Sequence, residues 1–134
     1  RHTIATVTPD DVAMLHLTMT TTRGGAVLAV SGSWHSADDA DTMAAALTFV
    51  PVDDHVIVDL RELDRLSPAC ADDLCARLLE RVAWSEVVVV ATRPDVVMPL
   101  VLAEVDRVVP IVRTIADAVA IVSRRSGLDL QEAV

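Results

Sequence analysis

Over residues 12–20 apolar and polar side chains partly alternate, with Val12, Met14, Leu15, Leu17 and Met19 apolar. After Arg23-Gly24-Gly25 the chain is again mostly apolar over residues 26–30. Two such runs on either side of a glycine pair predict a β-hairpin. Beyond it the period changes from two to between three and four. Ser36 precedes Ala40, Met43, Ala44 and Leu47, a helical spacing with a capping serine ahead of it, and Pro51-Val52-Asp53-Asp54 stops the run. An apolar strand follows over residues 56–60.

The segment after that strand predicts a second helix in more detail. Ser67 is a good N-cap, and Pro68 occupies the first helical position, where a missing N–H is harmless. Leu74, Cys75, Leu78, Leu79 and Val82 then line one face, while Asp72, Asp73, Arg77, Glu80 and Arg81 take the other, with Asp73 and Arg77 spaced as a favourable pair. Four valines at 87–90 suit a strand buried on both faces, and Pro94-Asp95 opens a helix to about Glu104. Residues 108–112 predict a last strand. Thr114-Ile115-Ala116-Asp117 forms a capping box for a closing helix whose Ile115, Ala118, Val119 and Val122 face inward, with Arg124, Arg125 and Gly127 as its C-terminal signals. The order β-β-α-β-α-β-α-β-α predicts one α/β domain over residues 1–134: a mixed, mostly parallel sheet of about five strands, about four helices and right-handed crossovers, with residues 1–11 as an N-terminal extension.

Composition narrows the function more by exclusion than by identification. The chain has 134 residues, 52% of them hydrophobic, but no apolar run long enough to cross a membrane. Its 11 cations are all arginines, scattered along the chain, and the formal net charge is -9. Scattered cations in an acidic chain argue against nucleic acid and against anionic membrane surfaces, and leave a basic protein partner or simple solubility as the use of the acidity. Cys70 and Cys75 are five apart in one predicted helix, a poor geometry for a disulfide. That spacing, with no secretory apolar core in residues 1–11, predicts a cytoplasmic protein. The four histidines lie on separate elements with no metal-ligand spacing, and no glycine-rich phosphate loop is present. The sequence thus predicts no cofactor, no metal and no enzyme activity.

Residues 56–71, Val-Ile-Val-Asp-Leu-Arg-Glu-Leu-Asp-Arg-Leu-Ser-Pro-Ala-Cys-Ala, resemble the central segment of the STAS domains of anti-sigma factor antagonists, where a strand ending in Asp/Asn-Leu leads to Asp-Ser-x-Gly-Leu. Val30-Ser31-Gly32 and the closing segment 115–119 are similar to the flanking motifs of that family. The resemblance implies the STAS fold and a bacterial regulatory protein that binds an anti-sigma factor of the serine kinase type, and so regulates sigma-dependent transcription indirectly. Ser67 stands where the family has its aspartate, and Pro68, at the phosphoacceptor-equivalent position, cannot be phosphorylated. Cys70 replaces the motif glycine, Ala71 its leucine, and Ser33-Trp34-His35 the family's Glu-Leu-Asp.

The partner surface implied by the resemblance comprises Trp34, His35, Ser67, Pro68, Ala69, Cys70, Asp72 and Asp73. Ser67 reads as a plain N-cap or as a displaced phosphoacceptor. Cys70 lies in the first helical turn, where the dipole lowers a thiol pKa, so it reads as a redox site or as a small hydrophobe. Trp34 is either an interface anchor or a core residue, and Trp84 closes the core at a helix end. A possible homodimer, an adaptor or oligomerisation module, and a redox-responsive regulator acting through Cys70 are the alternative readings.

Overall fold

The computed structural model describes residues 2–5, 15–22 and 24–126. Its elements are β1 (His2–Ala5), β2 (His16–Thr22), β3 (Gly25–Trp34), α1 (Ala37–Thr48), β4 (His55–Leu66), α2 (Pro68–Arg81), β5 (Val87–Val90), α3 (Pro94–Leu102), α4 (Val105–Val108), β6 (Ile111–Val112) and α5 (Ile115–Ser126). The sheet runs β1-β2-β3-β4-β5-β6 in sequence order. β1, β2 and β3 pair antiparallel, and β3 through β6 pair parallel. The α/β class and the mostly parallel sheet are as expected. His2–Ala5, read from sequence as part of an extension, pairs instead with β2. Val12 and Met14, assigned to the hairpin, lie outside the described residues.

Side-chain alternation along the strands divides the core into two. Val56, Val58, Val87 and Val89 face α1, α2, α3 and α4, in a cluster that includes Met43, Leu47, Leu74, Leu78, Val96, Leu100 and Val105. Ile57, Val88 and Val90 point the other way, onto Ala118 and Val122 of α5. The four valines of β5 are therefore buried on both faces, as their unbroken run predicts.

Two expected elements change shape. The strand expected at 108–112 shrinks to Ile111–Val112, because Val105–Val108 forms a helical turn whose last bond runs from Val109 N–H to Val105 O. Pro110 intervenes and has no N–H to give a ladder. Glu104 enters that turn in the left-handed region at φ 64°. β4 is twelve residues long instead of five. Its register against β3 slips between Ala29 and Ser31 and again between Gly32 and Ser33, each slip adding one residue to β4, and Gly32 takes φ 86° at the second.

Arg81, assigned by helical spacing to the polar face, is buried. Its guanidinium donates to the carbonyls of Leu47 (3.2 Å), Val50 (3.1 Å), Pro51 and Asp54 (3.3 Å). These oxygens belong to the C-terminal end of α1 and the loop after it; those of Leu47 and Pro51 also accept from the N–H groups of Val50 and Asp54, at 3.2 and 3.0 Å. One side chain of α2 therefore caps α1 and fixes the path into β4. Burial pushes the guanidinium below its ordinary pKa, against the opposing charges of Asp54 and Asp53.

His55 opens β4 in close contact with the hairpin: a Cβ on Gly25 would sit 2.6 Å from His55 Cδ2. The ring is buried and Nε2 has no hydrogen-bond partner among the described residues. Burial lowers its pKa from 6.5, partly offset by Asp54 and Glu86.

Replacing Arg81 by Met should cost about 3 kcal/mol in urea unfolding, since four carbonyls lose a shared donor together and two of them, those of Leu47 and Pro51, are left with a backbone N–H alone; a loss below about 1 kcal/mol would mean that water replaces the guanidinium. Because folded His55 binds a proton less readily than unfolded His55, its contribution is intact above about pH 6.5 and declines as pH falls below that value. Wild-type stability should therefore fall more steeply on acidification than that of His55→Phe, and parallel curves would assign the acid sensitivity elsewhere.

Candidate functional site

The carboxyl ends of β3 and β4 bring the N-termini of α1 and α2 side by side. Ser67 N–H donates to the Trp34 carbonyl at 2.9 Å, tying the end of β4 to the end of β3. Ser36 caps α1: its hydroxyl accepts from Asp39 N–H at 3.1 Å, and Asp39 Oδ2 accepts from the N–H groups of both Ser36 and His35, each at 3.1 Å. Ser67 caps α2 in the same way, accepting from Cys70 N–H at 3.2 Å. The Cys70 thiol reaches back to the Ser36 carbonyl, with Sγ 3.6 Å from the oxygen. Two capped helix starts are thus joined through backbone and thiol contacts.

The residues expected at a partner surface separate by exposure. His35, Pro68, Ala69 and Asp72 are exposed, and Ser67 and Asp73 are half-buried. Asp73 holds Arg77 at 3.3 Å, as their spacing predicts. Trp34 is wholly buried in the main core, so of its two readings the structure places it at core packing. Cys70 is buried too. Its position predicts a lowered thiol pKa, but desolvation pushes the pKa up, and Asp39 and Asp73 add to that against the hydrogen bond from Ser67. Burial and the raised pKa favour the hydrophobe reading of Cys70. Ser67 is the N-cap of α2.

Sequence reasoning missed two contributors at this end. Asp39 positions the His35-Ser36 backbone, and the Ser-x-x-Asp spacing from Ser36 carried that signal. Arg93, preceding α3, bonds Asp64 of β4 at 2.7 Å across exposed surface; this pair is distant in sequence and had no local signature. Trp84, expected to close the core, is 67% exposed instead. Among the described residues no group of three or more His, Cys, Asp or Glu is placed to hold a metal ion, and no helix is long and apolar enough to cross a membrane.

Strand order, helix placement and the paired helix starts define the STAS fold. Two solved structures share it. An anti-sigma factor antagonist from Mycobacterium paratuberculosis aligns with a TM-score of 0.72 at 22% identity, covering 84% of this chain and 97% of that one. The anti-sigma factor antagonist SpoIIAA in its unphosphorylated form aligns with a TM-score of 0.62 at 16% identity, covering 84% and 98%. No family model and no curated protein matches the sequence.

A thiol reagent should label Cys70 slowly in the native protein at neutral pH and rapidly once urea unfolds it, because both burial and the raised pKa suppress the thiolate. Fast native labelling would restore the reactive-thiol reading.

Proposed function

We propose that this chain is an anti-sigma factor antagonist-like regulatory protein of the bacterial cytoplasm. It binds an anti-sigma factor of the serine kinase type through the start of α2 and the adjoining His35-Ser36 loop, and has no enzyme activity of its own. The observation that carries the reading is the pairing of capped helix starts that leaves His35, Pro68, Ala69 and Asp72 exposed together; the shared fold of two anti-sigma factor antagonists supports it. Pro68 has no hydroxyl, so a kinase partner cannot release itself by phosphorylating that position. Binding is then constitutive, or set by the amounts of the two proteins. A redox switch at Cys70 receives no support from a buried thiol with a raised pKa.

An adaptor role is the second reading, and Met98, Val101 and Leu102 of α3 favour it, being 59%, 44% and 73% exposed. The two readings separate in one titration of purified kinase-type anti-sigma factors from the same cell against wild type and Ala69→Trp. Ala69 is exposed, so the variant keeps the fold while obstructing the start of α2. A complex that Ala69→Trp weakens at least tenfold, roughly the penalty for filling an interface centre, is expected; failure of every such anti-sigma factor to bind the wild type would end the antagonist reading.

A further inference from the structure

Beyond the opposite end of α2, a groove of about 330 Å³ lies between the C-terminal halves of α1 and α2. Leu47 and Val52 line it on the α1 side, and Arg77, Glu80, Arg81 and Trp84 on the α2 side. Large apolar side chains are exposed here: Trp84 is 67% exposed, Val52 52%, and Phe49, the C-cap of α1, 71%. Two of the three aromatic residues in the chain thus stand in solvent at this end.

The groove lining holds two cations, Arg77 and Arg81, and one anion, Glu80, but both cations are engaged. Arg81 is buried and turned onto backbone carbonyls, and Arg77 is held by Asp73. Among the described residues Glu80 makes no ion pair. Asp41 lies on the same face of α1 as Ala44 and Thr48 of the groove wall and is likewise unpaired. Asp53 and Asp54 lie near enough to act on Arg81. Both helices also end here, and Arg81, in the last turn of α2, is turned onto the carbonyls that end α1, so the unpaired carboxylates carry the free charge of the rim.

We propose that this groove is a second protein-docking surface, which takes an amphipathic segment of a partner carrying arginine or lysine. An aliphatic side chain of the segment enters between Leu47 and Val52, and its cation lies over the Trp84 indole and against Glu80. Tryptophan is the best ring for such a cation, and the unpaired carboxylate supplies the complementary charge. A second copy of this chain fits poorly, because the same acidic rim would meet itself across a twofold axis in a molecule of net charge -9. The inference goes beyond the proposed antagonist activity. The fourteen residues of α2 span about 21 Å, so partners at its two ends need not collide.

The test uses the full chain labelled with ¹⁵N, whose two indole N–H signals report on Trp34 and Trp84 separately. The probes are a capped amphipathic peptide of leucine and arginine and its counterpart with glutamate for every arginine. The arginine peptide is expected to shift the Trp84 signal and leave that of Trp34 in place, with affinity falling about tenfold in Glu80→Arg, the equivalent of one lost charge contact. The glutamate peptide is expected to shift neither. Equal binding of both peptides, shifts that bypass Trp84, or no binding would overturn the proposal. A wild-type dimer in sedimentation that Trp84→Ala abolishes would also overturn it, in favour of a second copy. Ala69→Trp is expected to bind the arginine peptide as wild type does, so failure at either end of α2 is told apart from failure at the other.

Discussion

The parallel pairing of β3 with β4 is the constraint on which the remaining architecture rests. It begins with Gly25 beside His55, closely enough that no larger residue fits at position 25, and it ends with Trp34 beside Leu66. Because both strands run to the same edge, the helices that precede and follow β4 are set by where this pairing starts and stops. At the far edge, Ser67 N–H meets the Trp34 carbonyl and α2 begins at once. At the near edge, Arg81 gathers carbonyls at the end of α1 before the chain turns into β4. The helix α2 is thereby anchored at both ends to the same crossover, while Leu74 and Leu78 between those anchors are buried in the core.

How much of this was legible depended on whether the signal was local. Ser67-Pro68 announced the start of α2 because capping and the proline preference act within one turn, and the four valines of β5 announced a strand covered on both faces. The length of β4 was hidden for a specific reason. Leu60, Leu63 and Leu66 are all buried, but they recur every three residues, since each register slip inserts one extra residue. The period of two that marks a strand is lost, and Arg61, Glu62, Asp64 and Arg65 then read as a loop.

The candidate site divides along the same line. The exposed members at the start of α2 follow from the resemblance and from helix geometry, whereas the environments of the tryptophans and of Arg81 depend on residues tens of positions away. Trp34, which sequence left open between interface anchor and core residue, is buried, and Trp84, expected to close the core, is exposed. An arginine at a helix end looks solvated by its spacing, and only the cluster of carbonyls where the neighbouring helix ends makes burial favourable. A guanidinium can do this because its planar fork reaches several acceptors at once.

Pro68 has a consequence of a different kind. At the first position of a helix whose cap is the preceding residue, a side chain there makes no bond on which the fold depends, and serine serves nearly as well as proline. Every proline codon becomes a serine codon by a single base change. The genetic distance between a domain with no hydroxyl at this position and one with a hydroxyl there is therefore the smallest possible, so the chemistry of this exposed position could change without rebuilding any of the structure around it.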